Sequence, residues 1–147
     1  WKMNGIFTAQ GGLPFTPTLQ SSVSNAGGSR PDVFGDPNLD NPTRDQWFNT
    51  SFNTSGAVWG TPTQFTFGNA GRNILRGPGR VNVDFSLFKD INITETLNLQ
   101  YRAEFFNIMN TPQFGLPNGS IGSNGAGQIT SLAGGPRQVQ MGLRLSF

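Results

Sequence analysis

The chain carries no cysteine and no histidine. Without cysteine there is no disulfide framework and no thiolate chemistry. Without histidine the commonest general base and a main metal ligand are missing together. Charge is scarce: 10 basic and 8 acidic residues leave a net +2, and charged residues make up 12% of 147, about half the usual share. The basic residues are scattered, so nothing marks a nucleic-acid surface. No run of eighteen apolar residues occurs, which excludes a transmembrane helix. No signal-peptide pattern is present either. The chain opens on Trp1, in what reads as mid-strand. A piece of a longer protein is expected, with a processed mature domain as the alternative.

What is present is small, polar or aromatic. There are 20 Gly and 13 Phe, and aromatics reach 12% while hydrophobic residues stop at 35%. Asn, Ser, Thr and Gln fill much of the rest. Such a mixture suits a membrane barrel with polar loops. A secreted β-rich domain is the other class it suits.

The last ten residues show the clearest pattern. Val139, Met141, Leu143, Leu145 and Phe147 alternate with Gln138, Gln140, Gly142, Arg144 and Ser146. Period two predicts a strand with one oily and one wet face. In an outer-membrane barrel the oily face meets lipid and the wet face the lumen.

Three further stretches share the pattern. In residues 1–10, Trp1, Met3, Phe7 and Ala9 oppose Lys2, Asn4, Thr8 and Gln10, with Ile6 the exception. In 80–93, Val81, Val83, Phe85, Leu87, Ile91 and Ile93 share a face with one misfit, Lys89, whose stem can snorkel to headgroups. In 97–108, Leu97, Leu99, Tyr101, Ala103 and Phe105 share a face. A tight turn at Thr94-Glu95-Thr96 predicts that Ile93 meets Leu97, Ile91 meets Leu99 and Lys89 meets Tyr101. The last pair would lie at a membrane interface, where tyrosine is favoured.

Residues 11–79 and 109–136 carry little period and much Gly, Pro, Asn, Ser and Thr, and read as long loops. Long, short and long connections match the order of outer-membrane barrels. If 94–96 is periplasmic, both long loops are extracellular and Phe147 ends in the periplasm.

The motifs resemble one family. Gly68-Asn69-Ala70-Gly71-Arg72-Asn73-Ile74-Leu75-Arg76-Gly77-Pro78-Gly79 and Asp84-Phe85-Ser86-Leu87-Phe88-Lys89 look like late barrel strands of TonB-dependent outer-membrane receptors. So do Arg102-Ala103-Glu104-Phe105-Phe106-Asn107-Ile108-Met109-Asn110 and the run from Gly135 to Phe147. The Oar-like branch is the most similar. Residues 68–147 carry the likeness strongly. Residues 1–67 carry it more loosely, through Gly12-Leu13-Pro14-Phe15-Thr16 and Asp45-Gln46-Trp47-Phe48-Asn49.

The resemblance implies an all-β, antiparallel up-and-down sheet: about the last four strands (about 1–10, 80–93, 97–108 and 137–147) of a large transmembrane barrel plugged by an N-terminal domain. It implies energised uptake of a siderophore, oligosaccharide or peptide type of nutrient. The implied partners are outer-membrane lipid, the barrel-assembly machinery and a TonB-type energy coupler, the last reached through N-terminal regions outside this stretch. The implied location is the cell outer membrane. Val139, Met141, Leu143, Leu145 and Phe147 would form the lipid-facing strand and assembly signal. The reading from another class is a secreted β-rich adhesion or carbohydrate-binding module.

Other chemistry is sparse. Asp36-Pro37-Asn38-Leu39-Asp40-Asn41 imitates a calcium loop. It lacks glycine at the sixth position and has Trp47 at the twelfth, which favours a plain turn. Asp84 and Glu104 could be an acid–base pair; a lumen network with Arg102 and Arg144 is the simpler expectation. Gly77-Pro78-Gly79 lacks the lysine of a phosphate cradle. Trp47, Phe48 and Trp59, with Phe65 and Phe67, would either face a ligand as loop aromatics or pack the loop on itself. No catalytic, cofactor or metal residues are expected, and no enzyme.

Overall fold

The structure, a computed structural model, describes residues 1–147. It is all-β, without helices. In chain order the strands are β1 (Lys2–Gln10), β2 (Pro14–Phe15), β3 (Thr18–Leu19), β4 (Asp32–Val33) and β5 (Trp59–Gly60), then β6 (Leu75–Arg76), β7 (Arg80–Asn92), β8 (Asn98–Phe106), β9 (Ser120–Ile121) and β10 (Gln138–Ser146). They fall into two units.

The sheet unit holds Trp1–Gly11, Gly79–Gln113 and Leu132–Phe147. Its four long strands form one antiparallel sheet in the order β1-β7-β8-β10. The hairpin between β7 and β8 has the register that the spacing predicts: Lys89 faces Tyr101 and Ile91 faces Leu99. The turn is closed by Ile93 N–H donating to Leu97 O at 2.9 Å, and by Leu97 N–H donating to the Thr94 hydroxyl at 3.0 Å. Both long connections leave from the opposite end, where Gln10 meets Arg80 and Phe106 meets Gln138. The sheet is open, and β1 and β10 are its edges.

The loop unit holds Gly12–Pro78 and Phe114–Ser131. The stretches without period, expected as long loops, hold only two-residue strands. Three two-residue ladders cross-link the segment: β2 with β6, β4 with β5 and, in parallel, β3 with β9. They surround a core of Phe48, Val58, Trp59, Ala70, Leu75 and Ile121. Phe48 lies edge-on to Trp59, with ring centroids 6.3 Å apart, and 6.1 Å from Phe15. The larger of these core side chains stabilise the unit by roughly 1.5–3 kcal/mol each and Ala70 by about 0.8, before the opposing loss of chain entropy.

For two of the loop aromatics, Phe48 and Trp59, packing of the loop on itself replaces the ligand-facing reading. Trp59 is 0% and Phe48 1% exposed. Neither ring can meet a ligand, because each is the centre of its unit's core. The Trp59 indole N–H donates to Asn49 O, so the buried donor is satisfied. Trp47 packs partly buried against that core, and its indole N–H donates to Arg76 O at 2.8 Å.

Candidate functional site

Pleating sends alternate residues of the four long strands to opposite faces. Register then decides what each face carries. Met3, Leu87, Ala103 and Met141 lie in one row across the sheet. The next row is Gly5, Phe85, Phe105 and Val139, with the two rings 6.3 Å apart. Toward the turn, Lys89, Tyr101 and Leu143 share a row, followed by Ile91, Leu99 and Leu145. Four separate alternations thus merge into one apolar surface. Val139, Met141, Leu143 and Leu145 are all exposed on it, Leu143 by 72%, and Phe147 is exposed at the chain end.

The surface has the height of a membrane core. From Val81 to Ile91 is ten steps, about 33 Å of strand, or about 25 Å when tilted as barrel strands are. Lys89 fits its oily setting because its ammonium lies 4.8 Å from the centroid of the Trp1 ring. With Tyr101 opposite, the row joins two amphipathic rings and a long cation, the side chains that suit a water–lipid boundary.

The other face is polar. Its rows are Asn4, Ser86, Glu104 and Gln140, then Lys2, Phe88, Arg102 and Gly142. The network of Asp84 and Glu104 with Arg102 and Arg144 does not form. Arg102 instead covers the Phe88 ring at 5.1 Å, because the two are direct cross-strand partners. Glu104 sits between Ser86 and Gln140. The ion pair on this face is Lys2 with Asp90, at 3.0 Å, and Gln100 also donates to Asp90 at 2.7 Å. Both members are exposed, so the pair contributes little.

Asp84 has a task that the alternation conceals. It accepts from Asn107 N–H at 2.9 Å and from the Asn82 amide at 2.9 Å. Asn107 is buried, with φ +51°, and its own amide donates to Thr111 O and Gly135 O while accepting from Thr111 N–H. Gln113, also buried, donates to Val81 O at 2.6 Å. These side chains pin the start and the end of the second long connection to the rim of the sheet. A cleft of ≈ 430 Å³ opens beside them, with Arg80, Asn82, Asp84, Phe106 and Gln138 in its wall. Sequence reasoning passes over Asn107 and Gln113. The available signal is asparagine at a strand end, where its short amide tolerates the left-handed region.

The calcium-like segment is a turn. Asp36 accepts from both the backbone N–H and the amide of Asn38, at 2.9 and 2.7 Å. That is Asx-turn chemistry.

No curated protein and no solved structure matches the chain. The family model described as "Outer membrane beta barrel domain" matches residues 1–140, nearly its whole length. An all-β antiparallel sheet with one oily and one wet face fits that description, and the cell outer membrane is its location: the chain belongs to the outer-membrane β-barrel domain family.

Proposed function

We propose that these residues supply about the last four strands of a TonB-dependent receptor barrel, which takes up a scarce nutrient with energy passed from the inner membrane. The TonB part of this reading rests on the motif resemblance of residues 68–147; the observation that supports its barrel part is the continuous apolar surface. It crosses four strands in register, carries a Trp–Lys–Tyr row near its turn end and is backed by a polar face. On this reading Val139, Met141, Leu143 and Leu145 face lipid, and Phe147 closes the strand read by the barrel-assembly machinery. The connections 11–79 and 109–136 face outward, and the turn at 94–96 faces the periplasm. The four strands act as structure rather than as an enzyme. Coupling falls to an upstream plug and to the segment that engages the energy coupler.

The distinguishing experiment is uptake by cells that make the protein as it naturally occurs. Uptake of its nutrient should stop when the energy coupler is deleted, while surface binding persists. Uptake that continues unchanged without the coupler would make this a passive pore. The adhesion-module reading needs the oily face to be covered within a sandwich; Met3, Met141 and Leu143 are instead open on it.

A further inference from the structure

The loop unit contains one backbone outlier. Six non-glycine residues have positive φ, and five are asparagines; the sixth is Phe65, at φ +66°. A phenylalanine in that region is strained, since its Cβ crowds its own backbone. The turn that holds it is well defined. Thr66 N–H donates to Thr63 O at 3.0 Å, and the Thr66 hydroxyl donates to the same oxygen at 2.6 Å. Phe65 therefore occupies the third position of a four-residue turn, where positive φ calls for glycine or asparagine. Its own N–H is tied to Val23 O at 2.8 Å. Strain of this kind persists where the surroundings over-determine it, and it collects at binding sites.

The strain is not repaid by burial. Phe65 is 68% exposed, although the same unit buries Phe48 and Trp59. It stands at the wall of a cleft of ≈ 430 Å³ whose other lining residues are Ser22, Val23, Asn25, Thr61, Pro62 and Gln64. No charged residue lines it. Asn25 and Gln64 are exposed, so their amides are open to a ligand. An amide presents a donor and an acceptor side by side, which matches neighbouring hydroxyl groups on a sugar ring. An aromatic face attracts the weakly positive C–H face of the same ring. A few convergent polar groups beside an apolar surface are the ordinary make-up of a small-ligand pocket.

We propose that this cleft binds a neutral oligosaccharide, with one sugar ring stacked on Phe65 and its hydroxyls bonded to Asn25 and Gln64. The inference deepens the uptake reading by naming a ligand class, and rests on it only for the ligand's fate after binding. Binding is therefore measured apart from uptake, on the protein as the cell makes it, solubilised in detergent.

The probe is a panel of linear neutral hexasaccharides: α- and β-glucans, a mannan and a galactan. At least one should bind with micromolar affinity. Phe65→Gly relieves the turn and removes the ring, so it should weaken that binding at least tenfold while leaving the melting temperature unchanged or raised. Phe65→Asn keeps the turn by a different route and should do the same. Gln64→Ala should weaken binding about threefold or more, and Phe67→Ala, an exposed ring outside the cleft lining, should not. Absence of binding across the panel overturns the proposal. So does full affinity in both Phe65 variants, or equal binding of a charged hexasaccharide such as an oligogalacturonate.

Discussion

Single asparagines do much of the bending in this protein. Asn25, Asn53, Asn73, Asn107 and Asn110 all hold positive φ without glycine's freedom. Each spends its amide locally or tolerates the left-handed region because its side chain is short. Asn107 is the most heavily used, with its backbone on Asp84 and its amide on Thr111 and Gly135. Asn107→Gly keeps the dihedral and loses the amide bonds, so it should destabilise the sheet rim by about 1–3 kcal/mol. Asn107→Ala loses the same bonds and adds about 1–2 kcal/mol of left-handed strain. Chemical denaturation of the two variants should rank them in that order; equal stabilities would assign Asn107 no conformational role. The abundance of asparagine is plain in the sequence. Which asparagine bends is not, because Gly135 meets Asn107 only once the chain has folded back. Burial of Phe48 and Trp59 is open between two readings for the same reason: an aromatic in an unpatterned stretch has no face until its neighbours arrive.

The long strands are legible because their signal is local. Alternation in residues 80–93 and 97–108, joined by three turn residues, is enough to place Ile91 against Leu99 and Lys89 against Tyr101. The short ladders are not. Two residues cannot display a period, and Thr18-Leu19 finds its partner at Ser120-Ile121, far along the chain. The charges on the wet face escape the sequence for a related reason. Alternation assigns Arg102 to a face, but only register puts it over Phe88 rather than beside a carboxylate. The two faces of β7 give a paired test. Leu87 lies mid-row on the oily face, and its neighbour Ser86 lies on the wet one. If the oily face meets lipid, Leu87→Arg should cost about 2–4 kcal/mol of barrel stability, measured by urea unfolding in lipid vesicles. Ser86→Arg should cost far less. Equal penalties would mean that neither face is lipid-exposed.

At the scale of the molecule, two kinds of stability coexist. The loop unit keeps a small buried core of its own. The sheet unit has an open apolar surface and two unpaired edges. Open edges and exposed apolar area both promote association. The purified chain should therefore self-associate in detergent-free buffer and disperse when a mild detergent is added, as followed by light scattering. A detergent-free monomer that unfolds cooperatively would favour a soluble module. Glycines at backbone crossings sharpen the contrast between the units. A Cβ on Gly12 would overlap the Gly77 carbonyl oxygen, so two chain segments of the loop unit touch main chain to main chain.

The position of β1 in the sheet has a kinetic side. Its partner β7 begins only after residues 11–79, whereas β7 and β8 are separated by a turn of a few residues. Closing the longer connection costs about 2 kcal/mol more in chain entropy. The hairpin of β7 and β8 can therefore zip early, β10 can add to it, and β1 docks last. Of these four strands, the one made first is the last to pair with its partner in this sheet. Until then the backbone groups of β1 that pair with β7 stay unpaired, and that interval is when a chaperone has the most to hold.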